Sequence, residues 1–236
     1  MAPPPLIMTG RTEVANGGTI GKSLNDKHVI VCETGNTNVS IENGVEPYIV
    51  TFNVGSWVQG SAASESTASN PKITYDYYTC NVTGGAIGGK ARLIKQGDGT
   101  LNLPKVNMTY TGETNIWGGI VNFDGTMANS NVWLNHFTQL NSNGGEFKSI
   151  KATYGSVIRP GGENSKGNIT VDSTLFLGFG SRLVLDLYGS TVDGDLIKAK
   201  TREWRRKPAR PGQNTALNTY SPSLKSMESV SLPATT

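Results

Sequence analysis

Two histidines, two cysteines and 18 acidic residues carry the polar chemistry available to this chain of 236 residues, and their spacing limits what it can be. A Ser/His/Asp hydrolase needs its serine on a sharp Gly-x-Ser-x-Gly elbow within reach of a histidine base. No such elbow occurs. Gly178-Phe179-Gly180-Ser181 reads as a turn before a strand. His136, inside Trp133-Leu134-Asn135-His136-Phe137, reads as a partly buried strand histidine, and His28 is the only other one. Cys32 and Cys80 lie far apart with no Cys-x-x-Cys and no clustered histidine, which argues against structural zinc. They are either disulfide partners, if the chain is exported, or separate core thiols. Asp193-Gly194-Asp195 offers two carboxylates where calcium takes about six to eight oxygens, so a polar turn is expected and no metal. Gly84-Gly85-Ala86-Ile87-Gly88-Gly89 lacks the Lys-Ser/Thr pair and the strand-to-helix setting of a phosphate loop, so no cofactor is expected either. Glycoside hydrolysis needs two carboxyls held across the scissile bond, and a lyase needs a base beside charge neutralisation. Asp124 is the one weak catalytic candidate. Trp57, Trp117 and Trp133 are candidates for stacking on sugar rings, the alternative being that they pack between strands.

The elements that would hold these residues are β-strands. Runs at 28–32, 48–54, 73–78, 116–123, 132–134, 169–171 and 183–188 are β-prone, three to eight residues long, and punctuated by Gly, Asn, Asp and Ser. Leu183, Leu185 and Leu187 alternate with Val184, Asp186 and Tyr188, the period of a half-buried strand. Gly interrupts any helical stripe, at roughly 1 kcal/mol per residue against Ala. The chain carries 29 glycines, many as doublets, from Gly17-Gly18 to Gly161-Gly162. In a coil of stacked rungs such doublets supply the sharp corners, and Asn at the same corners tolerates left-handed geometry and can ladder with Asn on the next rung. A β-sandwich uses Gly doublets in hairpin turns and remains the alternative. The segment 61–71 (SAASESTASNP) reads as an excursion loop.

Net charge is +3, with the excess in a basic cluster from Arg202 to Arg210, which leaves residues 1–200 near neutral. A short, Pro-broken cluster is no nucleic-acid face, so no nucleic acid is expected as partner. No window reaches the roughly 18 to 20 apolar residues of a membrane helix. The opening Met1 to Gly10, with Pro3, Pro4 and Pro5, does not read as an export signal. The expected organisation is an extension at 1–9, a β domain at 10–200 and a flexible basic and polar tail at 201–236.

Residues 93–121 carry an ordered pattern: Leu-Ile-Lys-Gln-Gly-Asp-Gly-Thr-Leu-Asn-Leu, then Tyr110-Thr111-Gly112-Glu113-Thr114-Asn115-Ile116, then Gly118-Gly119-Ile120-Val121. This resembles the passenger-associated repeat of bacterial autotransporter β-helices. Downstream, Ile158-Arg159-Pro160-Gly161, Gly167-Asn168-Ile169-Thr170-Val171 and Asp193-Gly194-Asp195-Leu196-Ile197 continue the likeness, which covers about 91–200 and is loose over 10–90. No amphipathic strands of a translocator barrel follow Lys200. The resemblance implies an all-β, right-handed single-stranded parallel β-helix. Leu101, Leu103, Val121, Phe123, Val171, Leu183, Leu185 and Leu187 are expected to face inward. It also implies a non-catalytic scaffold, extracellular or on a bacterial cell surface, adhesin-like, with a glycan or a host or surface protein as partner. Exposed coil ends favour end-to-end self-association.

The alternative is a fragment of a polysaccharide-degrading hydrolase or lyase, or of a glycan-binding β-helix protein. Asn122-Phe123-Asp124 faintly resembles the Asn-x-Asp element of polygalacturonase-like enzymes. Their Asp-Asp, Gly-His-Gly and Arg-x-Lys elements are missing, and Arg92-Leu93-Ile94-Lys95 has one residue too many.

Overall fold

A computed structural model describes residues 11–32, 35–55, 57–59, 73–75, 78–135, 137–188 and 193–204, with only the backbone at 57–59, 73–75 and 204. The chain climbs by placing one strand on each of two sides of a coil in turn. β1 (Thr12–Val14) and β2 (Thr19–Ile20) start it, followed by β3 (His28–Val31) and β4 (Thr37–Ile41). β5 (Ile49–Asn53) leads into a hairpin of β6 (Trp57–Gln59) and β7 (Ile73–Tyr75), then β8 (Thr79–Gly84). β9 (Arg92–Gln96) and β10 (Thr100–Leu103), then β11 (Thr114–Trp117) and β12 (Ile120–Phe123), make the middle rungs. β13 (Thr126–Asn135) and β14 (Gln139–Ser142), β15 (Gly145–Ala152) and β16 (Val157–Pro160), β17 (Asn168–Leu177) and β18 (Arg182–Leu183), and finally β19 (Leu196–Trp204) complete it.

The odd-numbered strands other than β7 form a nine-stranded sheet, and the even-numbered ones other than β6 an eight-stranded sheet. All neighbours in both are parallel, so the chain is a parallel β-solenoid; the β6–β7 pair alone is an antiparallel ladder. A third, shorter side is closed by Val45, Ile87 and Met108 and higher up by Met127, Phe147 and Val171, each against the rung below or above. One rung cannot bury its own apolar face, so the rungs do it for one another. Leu101, Val121, Leu140 and Ile158 form one interior row, and Val50, Leu93, Thr114 and Val132 form another. Each fully buried aliphatic side chain contributes roughly 1.5–3 kcal/mol. Leu101, Leu103, Val121, Phe123 and Val171 are buried as expected, with the Phe123 and Phe147 rings 5.3 Å apart between centroids.

The last rung departs from expectation. Leu183 is only half-buried, while Leu185 and Leu187 are exposed, Leu187 by 78%. Their alternation is real, but among the described residues β18 is the last strand of the eight-stranded sheet, and no described strand lies above to cover them. After Leu183 the chain turns back on itself: the Asp195 amide donates to Asp186 O at 2.9 Å and the Tyr188 amide to Asp193 O at 2.8 Å. The coil also runs past its expected limit, since β19 takes in Thr201 to Trp204. Residues 1–9, the excursion at 61–71, His136 and the tail from 205 lie outside the described residues.

The repeat-like positions are occupied by the needs of the coil. Lys95 points inward and is fully buried, and its ammonium donates to the carbonyls of Gly97, Gly99 (2.8 Å) and Gly118 (2.7 Å). It ties two successive corners together from the inside. Gly97 lies at φ +82°, and a Cβ there would stand 2.1 Å from Gly55 O. Tyr110 is buried, its hydroxyl 2.6 Å from Thr114 Oγ1, which lies 2.8 Å from Ser130 Oγ; Ser130 donates to Gly112 O. A Cβ on Gly112 would approach Ala91 O to 2.2 Å.

A ladder of asparagines runs up the outer face of the eight-stranded sheet. Asn81 Nδ2 donates to Asn38 Oδ1 (3.0 Å), Asn102 to Asn81 (2.7 Å), Asn122 to Asn102 (2.7 Å) and Asn141 to Asn122 (2.8 Å). The sequence separations are 43, 21, 20 and 19 residues, the long one being the step that contains the β6–β7 hairpin. Contrary to the corner placement expected, these asparagines sit within strands. They alternate with buried neighbours, so their amides stack where side chains point away from the core. Above Asn141 stands Arg159, paired with Asp186 at 3.1 Å.

Cys32 and Cys80 are disulfide-bonded, Cα atoms 6.0 Å apart, across the interior from the end of β3 to β8. Closing a loop of 48 residues stabilises the fold by about 4 kcal/mol on the chain-entropy account.

Candidate functional site

Asp124 follows β12, half-buried, and its carboxylate accepts the Asn143 backbone N–H at 2.7 Å. The carboxylate braces the next corner. Asn122 is a rung of the amide ladder and Phe123 is core, so each residue of Asn122-Phe123-Asp124 is held by the coil. Asp195 accepts the backbone N–H of Gly167 and of Asp186, both at 2.9 Å, and Asp193 pairs with Lys166. Both acids of Asp193-Gly194-Asp195 brace the fold-back that leads to β19. Among the described residues no group of three or more His, Cys, Asp or Glu converges. His28 lies 2.9 Å from Thr51 Oγ1 through Nε2; burial and the neighbouring Arg11 push its pKa down.

The tryptophans fare differently. Trp57 belongs to β6, and its side chain lies outside the described residues. Trp117 ends β11 and is 47% exposed. Trp133 lies half-buried on β13, next to β11 in the nine-stranded sheet, and both face outward because they alternate with buried residues. Strand register stacks Trp133, Lys151, Phe176 and Glu203 in one outer row. The Lys151 ammonium sits 4.0 Å from the Trp133 ring centroid and 5.6 Å from that of Phe176, a cation between two rings. Trp133 therefore packs between rungs as well as facing out.

Beside this row is an open depression of about 870 Å³, floored by β13, β15 and β17 and reaching Glu203 on β19. Its polar lining comes from amides and hydroxyls, among them Asn131, Asn135, Ser149, Thr153 and Thr174. Its charged lining is Lys151 and Glu203, of opposite sign. Tyr154 and Phe179 form one rim.

That rim belongs to a longer feature. Phe137, Tyr154 and Phe179 each lie two residues past the end of β13, β15 and β17, at the same corner on successive rungs, and are 80%, 61% and 53% exposed, while Trp117 is the last residue of β11, one rung below. The Phe137 amide donates to Tyr154 O, tying two of them through the backbone. Phe137 and Tyr154 hold φ of +57° and +50°. This left-handed conformation costs a residue with a Cβ roughly 1–2 kcal/mol, which glycine would avoid. The Phe137 ring lies over Gly155, where a Cβ would come within 2.6 Å of Cε1.

Sequence reasoning reached Trp117 and Trp133 but missed Phe137, Lys151, Tyr154, Phe176 and Phe179. The available signal was an aromatic two residues past the end of β13, β15 and β17, which becomes visible only once the rungs are in register. No family model, no curated protein and no solved structure matches this chain.

Proposed function

We propose that this chain is a non-catalytic β-solenoid scaffold of a bacterial cell-surface or secreted protein of the autotransporter-passenger type, serving adhesion. The observation that carries the reading is how the repeat-like residues are used. Lys95, Tyr110, Gly112, Thr114 and the glycine corners all hold rung to rung, as a pattern kept for building a rod requires. Asp124, the one catalytic candidate, is engaged by the Asn143 amide. The Cys32–Cys80 disulfide suits an oxidising compartment and so supports export.

The polysaccharide-degrading alternative draws on the aromatic-lined depression, and one experiment separates the two. The purified chain is incubated with a polysaccharide panel, and reducing ends and unsaturated products are measured. No product is expected, and Asp124→Ala is expected to lower the thermal midpoint by loosening a corner. Product release abolished by Asp124→Ala, in a variant that keeps its fold, would overturn the scaffold reading.

A further inference from the structure

The depression over β13, β15 and β17, with its aromatic rim, has the chemistry of a ligand site, and we propose that it binds an extended chain of neutral pyranoses running along the coil axis. The inference rests on the scaffold reading above, since it has the coil hold its ligand without turning it over. Three observations converge. First, the exposed apolar residues at this corner are all aromatic: Tyr154 and Phe179 on the rim of the depression, and Phe137 beside them on the rung below. Aliphatic side chains would serve a protein interface equally well, whereas flat aromatic faces match the C–H faces of sugar rings. Second, the floor beside them is made of amides and hydroxyls, the groups that pair with vicinal sugar hydroxyls, and Lys151 and Glu203 leave it with no net charge to favour an ionic ligand. Third, Phe137 and Tyr154 occupy left-handed positions where glycine would be easier, as it is at the neighbouring Gly155 and Gly180. Coil formation does not require aromatics there, and backbone strain kept at an exposed surface points to use of that surface.

Dimensions agree. Adjacent rungs are roughly 4.8 Å apart, so the floor from β13 to β19 spans about 14 Å, room for two to three linked pyranoses. Tyr154 and Phe179, each two residues past the paired Ala152 and Leu177, rise with the same step.

The test uses the whole 236-residue protein. Cellohexaose, xylohexaose and mannohexaose are titrated calorimetrically and by tryptophan fluorescence, with an oligogalacturonate of equal length as charged comparator. Saturable binding of at least one neutral oligosaccharide is expected, weakened about tenfold or more by Tyr154→Ala and by Phe179→Ala. Phe179→Ala guards against misfolding at the left-handed Tyr154. A further variant gives the sharpest reading: Phe137→Gly should weaken binding while holding or raising the unfolding midpoint, because it relieves the left-handed strain. Absence of binding to every neutral oligosaccharide overturns the site, as does binding unchanged in all three variants or a preference for the oligogalacturonate. Rim-dependent capture of a deglycosylated matrix protein in place of the sugars also overturns it. Variant-sensitive binding accompanied by product release would uphold the site and sink the scaffold reading. Absence of both binding and turnover would do the reverse.

Discussion

Lys95 is buried with its ammonium hydrogen-bonded to backbone carbonyls, an unusual condition for a lysine, because burying an ammonium is expensive unless its protons find acceptors. Here three carbonyls supply them. Burial lowers its pKa to about 8, partly opposed by the nearby Asp98. Between pH 8 and the ordinary lysine value of 10.5 the unfolded chain therefore binds more protons at this position than the folded one. Stability contributed by Lys95 should accordingly rise with pH across that window. Tyr110 acts in the opposite sense. Burial raises its pKa above 10.0, outweighing its bonds to Thr114 and Ser130, so above that pH the unfolded chain sheds a proton that the folded one keeps, and stability falls. Urea midpoints at pH 7.5, 9.5 and 11 should show the first slope in the native protein and lose it in Lys95→Met, while Tyr110→Phe removes the second. An unchanged rise from pH 7.5 to 9.5 in Lys95→Met would show that Lys95 is not the group responsible.

At the scale of the elements, the asparagine ladder joins rungs through side chains in the same direction as the backbone ladder. Each amide hydrogen bond contributes about 1 kcal/mol net, and every interior asparagine both donates and accepts. Asn102→Asp removes the proton donated to Asn81 Oδ1 and sets a carboxylate against that oxygen, although it can still accept from Asn122. The folded pKa of this aspartate should lie above the unfolded value of about 3.9. Its stability is then fully present below that pH and lost as pH rises through the folded pKa, so the variant should fall well below the native protein at pH 7 and recover much of the difference at pH 3. Equal deficits at both pH values would mean that the ladder contributes shape and not hydrogen bonds. The inner positions of these elements were legible in the sequence because the coil interior dictates them: Leu101, Leu103, Val121 and Phe123 alternate, and Gly97 and Gly112 tolerate no Cβ. Outer positions were less legible. The ladder spans steps of 19 to 43 residues, so which asparagines align depends on rung lengths that no local pattern fixes. The aromatic rim was hidden for the same reason.

For the whole molecule the decisive limit is that a solenoid has two ends. Alternation identified Leu185 and Leu187 as one face of a strand, but burial needs a further rung, and among the described residues there is none beyond β18. Leu185, Leu187 and Leu196 are all exposed close to this end. β19 has a partner on one side only among the described residues, β17, leaving the other edge of a nine-residue strand as a template for pairing. At the opposite end β1 and β2 are short, three and two residues, and each is likewise paired on one side. Parallel rungs of similar length make the two ends mutually complementary in a head-to-tail sense, the heterologous contact that produces open filaments and not closed dimers. Sedimentation velocity over a range of protein concentrations should therefore show a ladder of species that grows with concentration and does not stop at the dimer. Leu187→Lys together with Leu196→Lys should reduce it to monomer without lowering the unfolding midpoint, because neither side chain is part of the core. A chain that stays monomeric at several hundred micromolar, or a discrete dimer unaffected by these substitutions, would show that the ends are not complementary.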